Sequence, residues 1–261
     1  MCPQSTTIKP RRWSDREIVE LFHLEFVRVL AAGSQKGRYA IKGGCNLRFF
    51  FGSVRYSEDI DFDIDVTSKA TLANHVDGIL EAQPLQRLLR VHGIALGGWT
   101  KPKQTDTVQR WKLALTSSQR EVQLHTKLEF SHRTTDDAPA LDAVDADLLD
   151  GYGVPRFNAR HYRAAVAVRQ KVGALVGRSE VQARDIFDLN LLLARPGVQP
   201  AGDLAPMAAQ AIERAMEVSY DQYSSHVVAY LLPEHAALYD SRAAWEAMQL
   251  RVVEFLEASR A

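Results

Sequence analysis

Cysteine is nearly absent: the 261 residues hold two, Cys2 and Cys45. One possible pair cannot make a disulfide framework, so the fold must rest on a hydrophobic core, and a reducing compartment suits the chain. Long apolar runs are missing too, none approaching the roughly 18 residues of a membrane-spanning helix. The opening MCPQSTTIKPRRW has basic residues with no apolar stretch behind them, so it does not read as a signal peptide. These absences predict a cytoplasmic protein without membrane contact. Net charge is also lacking, with 32 Lys+Arg against 32 Asp+Glu. No global field advertises a polyanionic partner. Local patches remain open, because acids cluster at 58–65 and 136–150 while arginines crowd 156–195. The hydrophobic share, 46%, is ordinary, and the length allows one large domain or two small ones, each with a core. Repeats and low-complexity segments are absent.

What is present concentrates in the stretch KGGCNLRFFFGSVRYSEDIDFDID, from Lys42 to Asp65. The apolar run Tyr39-Ala40-Ile41 reads as a strand end. Gly43 and Gly44 follow it as a turn whose backbone N–H groups can approach a phosphate closely, because glycine has no Cβ. Cys45–Phe51 then has the composition of a short helix whose N-terminus points at the same phosphates. After Gly52, Ile60-Asp61-Phe62-Asp63-Ile64-Asp65 alternates with the period of a strand. Asp59, Asp61, Asp63 and Asp65 share one face, and Ile60, Phe62 and Ile64 the other. Carboxylates in such a row repel unless they end in water or hold a cation. Hard oxygen ligands suit Mg²⁺, which takes one or two carboxylates and fills its shell with water and nucleotide phosphate. An edge strand with one solvated acidic face is the alternative.

The pattern GG…G…R-x-S-x-D-I-D-F, carried by Gly43, Gly44, Gly52, Arg55, Ser57, Asp59, Ile60, Asp61 and Phe62, resembles the first motif of the AbiEii/AbiGii toxin family. These are nucleotidyltransferases of the DNA polymerase β-like superfamily. The resemblance implies an α+β fold: a polymerase β-like mixed sheet with flanking helices, followed by an α-helical C-terminal domain. It implies that Asp59 and Asp61 hold Mg²⁺ and that Gly43, Gly44 and Ser57 cradle the phosphates of an NTP. A third carboxylate of the superfamily usually comes from a neighbouring strand. Lys127-Leu128-Glu129 looks like that segment, which makes Glu129 the third metal ligand; an exposed Lys–Glu face is the alternative.

Around this centre the chain reads as follows. Residues 1–13 form an irregular arm. Ser14 opens S-D-R-E, a capping box with Glu17, and Ile18, Leu21, Phe22, Phe26, Val29 and Leu30 recur at helical spacing until Gly33-Ser34. Thr67-Ser68 starts a helix with Leu72, Val76, Ile79 and Leu80 inward, and Pro84 begins a second one through Val91. His75 and His92 read as surface residues. Ile94–Trp99 reads as a strand, and Val108–Leu115 with Val122–Phe130 as a hairpin whose Glu121, Gln123, His125, Lys127 and Glu129 share a face. The acidic segment 131–150 lacks a D-x-D-x-D-G calcium pattern and reads as a solvated linker. It separates a catalytic domain, 1–135, from a helical domain, 150–261, that contributes to the nucleotide site.

The helical half opens with Asn158 as a cap for HYRAAVAVRQKVGALV. Its core stripe is Ala164, Ala165, Val168, Val172 and Leu175, with Arg163, Arg169 and Lys171 on other faces. A helix from about Val181 follows. The pair resembles the family's K-L-x-A-L…R-D-x-x-D-L segment through Lys171, Ala174, Leu175, Arg184, Asp185, Asp188 and Leu189, with Val172 where leucine is usual. By resemblance Lys171 and the acids Asp185 and Asp188 belong to the nucleotide site. Asp185 and Asp188 stand at i and i+3, on one helix face, and Lys171 offers a mobile point charge for phosphates. An Arg184–Asp188 ion pair is the structural alternative. Beyond Pro196 the chain reads as three or four alanine-rich helices. The spacing of Tyr220, Tyr223, Tyr230 and Tyr239 favours packing there, with base stacking as the alternative, and Trp245, Met248, Val252, Val253 and Leu256 line the last helix.

The expected activity is thus Mg²⁺-dependent nucleotidyl transfer from an NTP by the toxin of a bacterial toxin–antitoxin or phage-defence system. The resemblance implies an RNA acceptor, notably the tRNA 3′ end, and a cognate antitoxin. A protein or small-molecule acceptor, or a catalytically silent binding module, are the competing readings.

Overall fold

The computed structural model describes residues 12–33, 38–65, 67–132, 137–231 and 233–260. The expected N-terminal arm therefore lies almost wholly outside the described residues. Helix α1, Asp15–Ala32, starts at the expected capping box: Ser14 accepts from the Glu17 N–H, and Glu17 accepts from the Ser14 N–H. Strand β1 (Tyr39–Lys42) leads into α2 (Gly43–Phe50), and β2 (Asp59–Ile64) follows. Helices α3 (Lys69–Glu81) and α4 (Gln83–Val91) are divided at Pro84, with Ser68 capping α3. Strands β3 (Ile94–Gln104), β4 (Val108–Ser117) and β5 (Arg120–Ser131) form a meander. Then come β6 (Ala140–Ala143), α5 (Ala146–Tyr152) and β7 (Asn158–His161).

The seven strands make one mixed sheet in the order β3-β4-β5-β2-β1-β7-β6. The acidic strand β2 lies in its middle, antiparallel to β1 and parallel to β5. It is not an edge strand, which removes that alternative for its acids. Ile60, Phe62 and Ile64 face a core shared with α1, α3 and α4, where Phe62 stacks on Phe130 at 4.7 Å between centroids. The other face of β2 carries Asp59, Asp61 and Asp63. Strand β3 runs five residues past its expected end at Trp99, through Pro102. It is an edge strand, and its register shifts between Thr100 and Lys103, so the missing N–H costs no ladder bond.

The segment expected as a solvated linker is structured instead. Its described residues, 137–150, carry β6 and most of α5, and three of their acids have local partners. Asp145 caps α5 by accepting from the Leu148 N–H at 2.8 Å, Asp142 meets His161 at 3.0 Å, and Asp150 meets Arg156 at 2.7 Å. Asn158 starts strand β7 rather than capping a helix. The next helix, α6 (Ala164–Gly177), begins six residues later with Arg163 at its N-cap. Its buried stripe is Ala167, Val168, Lys171, Val172 and Leu175, so Ala165 is exposed and Lys171 turns inward, contrary to the periodicity reading. His92 is no free surface residue either; it lies 3.7 Å from Glu25 and edge-on to Trp13.

Helix α7 (Ala183–Leu193) follows α6. Beyond Pro196 the described residues form α8 (Ala205–Met216), α9 (Tyr220–His226), α10 (Pro233–Tyr239) and α11 (Arg242–Ala258), with two short 3-10 turns. Their core joins Val172, Leu189, Tyr223, Trp245 and Val252. Tyr223 is fully buried and stacks on Trp245 at 4.5 Å, as a packing role requires. Helix α2 serves both cores: Cys45 and Phe49 point to the sheet side, and Leu47 joins the helical cluster. The site described next lies at that junction.

Candidate functional site

The two glycines are the first residues of α2, not a turn before it. Gly43 has φ +66°, a left-handed conformation that other residues adopt at a cost. A Cβ there would stand 2.9 Å from Asp61 Oδ2, and one on Gly44 would stand 2.7 Å from Ser57 Oγ. The absent side chains let the Asp61 carboxylate and the Ser57 hydroxyl close onto the start of the helix. Gly43→Ala should therefore lower stability by about 1–2 kcal/mol for the backbone alone. It should also push Asp61 aside, so that melting temperature and turnover fall together; thermal melting beside a transfer assay checks this.

Along β2 the acids meet different fates. Asp59 pairs with Lys127 at 2.6 Å, and Asp63 pairs with Lys42 and accepts from Tyr162 Oη at 3.0 Å. Glu129 stands opposite Asp61 in the β2–β5 register and is gripped by Arg110, with contacts of 2.7 and 2.6 Å. Asp65 lies just beyond the strand and is exposed. Asp61 is half-buried and has no ion-pair partner among the described residues. Burial pushes its carboxyl up from the ordinary range, and the like charge of Glu129 adds to this, against a smaller pull from Lys42.

No group of three His, Cys, Asp or Glu side chains able to hold a metal ion is formed among the described residues. Asp59 and Glu129 turn toward Lys127 and Arg110 instead. A divalent ion that arrives with a triphosphate needs fewer protein ligands, because Mg²⁺ takes one or two carboxylates and leaves the rest to phosphate and water. The uncompensated Asp61 with Asp59 two residues away on the same face fits that requirement. Ser57 Oγ donates to the Asp59 carbonyl at 2.7 Å, and the Cys45 thiol approaches the same carbonyl at 3.4 Å. Burial pushes that thiol up, so Cys45 packs rather than reacts.

The helical half contributes a buried charge network. Lys171 Nζ meets Asp188 at 2.6 Å and Asp185 at 3.1 Å. Arg55 forks onto both oxygens of Asp188 at 3.0–3.3 Å, and Arg178 reaches Asp185 at 2.8 Å. Asp185 and Asp188 are fully buried. The alternative Arg184–Asp188 pair does not form; Arg184 is exposed, and Asp188 turns to Arg55, 133 residues away in sequence. Nor is Lys171 a mobile surface charge. Burial alone would lower its pKa, but Asp188 and Asp185 outweigh that and raise it. Asp188 is held below the usual carboxylate range because Arg55 and Lys171 outweigh its own burial.

Arg55 is the residue that joins the halves. Its guanidinium lies 3.2 Å from where a Gly44 Cβ would stand, donates to the Tyr56 carbonyl at 3.0 Å, and grips Asp188. The sequence contains it in the R-x-S-x-D spacing but gives it no role. Lys42 and Arg110, which pair with Asp63 and Glu129 beside Asp61, carry no motif of their own, and Lys127, in the Lys-x-acid segment, is given no role. A cavity of about 520 Å³ opens beside Ser57 and Asp59, on the β5 flank of β2. Asp61, Lys171 and the glycines do not line it.

The family model for the nucleotidyl transferase AbiEii toxin, of type IV toxin–antitoxin systems, matches residues 26–260. The chain belongs to the AbiEii family. It is a nucleotidyltransferase, the toxin of a type IV toxin–antitoxin system, which implies an NTP substrate and an antitoxin partner. Among curated proteins none matches. Among solved structures, the AbiEii chain described here resembles JHP933 from Helicobacter pylori, at 20% identity and TM-score 0.58 over 95% of both chains. It also resembles MenT4, a nucleotidyltransferase toxin from Mycobacterium tuberculosis H37Rv, at 19% identity and TM-score 0.61, over 93% of this chain and 84% of that one. At these identities the likeness concerns the fold: the mixed sheet with flanking helices and a C-terminal helical region are shared. No described helix of this AbiEii protein is long and apolar enough to cross a membrane.

Proposed function

We propose that this AbiEii protein transfers a nucleotide from an NTP to RNA, at the 3′ end of a tRNA, with Mg²⁺ as cofactor and in the cytoplasm. The observation that carries the reading is Asp61: a half-buried carboxylate with no ion-pair partner among the described residues, closed onto Gly43 at the start of α2, with Glu129 opposite it in register. Gly43, Gly44 and Ser57 line the triphosphate, with Asp59 and Asp61 as the metal-holding pair and Glu129 as the third acid. When bound, Mg²⁺ neutralises charge on the triphosphate and on the departing pyrophosphate. The acceptor hydroxyl oxygen forms a bond to the α-phosphorus, its proton passes to Glu129, and the bond to the β-phosphate breaks as pyrophosphate leaves. Lys171, fixed by Asp185 and Asp188, gives the nucleotide side of the site its positive field, and Arg55 couples that helix pair to the Ser57–Asp61 segment.

RNA as the acceptor follows from the family resemblance rather than from any one side chain. The test is to incubate the protein with total RNA, Mg²⁺ and each α-labelled NTP in turn. Label in a tRNA-sized band with one NTP supports the reading. Label in protein or in a small molecule replaces the acceptor, and no label with any NTP overturns the reading.

A further inference from the structure

The open face of the β3–β4–β5 meander carries an arrangement that the chemistry above does not use. Lys112 of β4 and Lys127 of β5 stand directly opposite each other in the register. Like charges at such a pair destabilise a sheet unless something negative lies between or beside them. Lys127 has Asp59 at 2.6 Å. Lys112 is exposed and has no hydrogen bond or ion pair among the described residues. Both lysines line the cavity of about 520 Å³, with Arg16, Tyr56, His125 and Tyr230, and with the acids Asp15, Glu58 and Asp59. That volume lies within the range of small-ligand pockets. Its far wall is held in place: Arg16 donates to the Ala229 carbonyl at 2.5 Å and lies over the Tyr230 ring, 4.6 Å from its centroid.

The side on which the cavity opens decides what it can hold. Strand β2 has β1 on one flank, leading straight into Gly43 and Gly44, and β5 on the other. The cavity lies on the β5 flank and reaches Ser57 and Asp59 but neither glycine. In an in-line displacement at phosphorus the attacking oxygen and the leaving group occupy opposite sides. The proposed triphosphate cradle includes Ser57, so a hydroxyl held in this cavity lies next to the cradle, on the β5 flank of β2.

We infer that this cavity is the acceptor site: it takes the terminal nucleotide of a single-stranded RNA end. Lys112 and Lys127 hold the backbone phosphates just before the reacting hydroxyl, and Tyr230 offers a ring face beside the base. The inference rests on the proposed transfer to RNA. Base–aromatic contact and lysine–phosphate contact are what sequence-tolerant binding of a single strand requires. Lys112 acts as a positioning residue; it does not touch the reacting phosphorus.

The test uses the full chain and two variants, Lys112→Ala and Lys112→Arg, with a fluorescent single-stranded RNA oligonucleotide and the acceptor RNA that the parent labels. Lys112 is exposed, so both variants should melt like the parent. Lys112→Ala should weaken RNA binding roughly tenfold at low salt and make the salt slope shallower by about one. It should raise KM for RNA by a similar factor while KM for NTP and kcat at saturating RNA stay unchanged. Lys112→Arg should restore most of the binding. If the parent labels RNA while Lys112→Ala keeps its RNA affinity, salt slope and KM, the site is wrong and the transfer reading stands. If the parent neither binds nor labels RNA and labels a protein instead, the transfer reading and this inference both fall.

Discussion

Asp61→Asn should abolish nucleotidyl transfer and raise the melting temperature. The loss follows from removing a charge that a cation and a triphosphate must share; several kcal/mol of stabilisation are at stake, or about a thousandfold in rate. The gain in stability follows from the carboxyl's raised pKa. Burial and Glu129 disfavour its charge, so the ionised carboxylate is a cost to the folded state. Asn removes that charge and keeps the shape. A turnover assay and a melting curve on the same preparation check both halves. A variant with parental turnover would remove Asp61 from the metal-holding pair, and one that lost both activity and stability would make Asp61 structural.

Asp188→Ala should be the most destabilising single change at the junction, by about 3–5 kcal/mol, because it leaves the buried Arg55 and Lys171 without their shared anion. On a chain of this size that is a fall on the order of 10 °C in melting temperature. Activity should vanish as well, since Arg55 borders Gly44. The pH dependence has a definite sign. Asp188 is held below its unfolded value, so its contribution is complete above about pH 4 and is lost as pH falls through the depressed folded value. Lys171 is held above its unfolded value, so its contribution is present below about pH 10 and is lost as pH rises through the raised folded value. The gap in melting temperature between the parent and Asp188→Asn should therefore be widest near neutral pH and narrow in acid. A gap that stayed constant into acid would show that the Asp188 charge is not what the network uses.

Much of this architecture was legible because its signals are local. The capping box at Ser14, the alternation from Asp59 to Ile64 and the division at Pro84 each lie within a few residues, and each stands where the pattern puts it. What was not legible depends on partners far away in sequence. Arg55 and Asp188 carry no pattern that joins them across 133 residues, so Arg184, four positions from Asp188 on one helix, was the only partner the spacing could offer. Lys171 lies among Val168 and Val172, but nothing in α6 says that two acids from α7 make burying a lysine tolerable. The acids of 137–150 look like solvation because caps and short ion pairs use the same residue types as linkers. Strands β6 and β7, four residues each, are too short to show a period of two. Glycine at 43 and 44 was readable as close approach, although what approaches in the absence of a ligand is Asp61 and Ser57.

The central claim is that Asp61 meets a cation that comes with the nucleotide. Calorimetric titration of a non-reactive NTP analogue into the parent and into Asp61→Asn, each with Mg²⁺ and with a chelator, tests it most directly. The account predicts tight binding by the parent only when Mg²⁺ is present, and weak, Mg²⁺-independent binding by Asp61→Asn. Equal affinity of the parent with and without Mg²⁺, or an undiminished Mg²⁺ effect in Asp61→Asn, would contradict it.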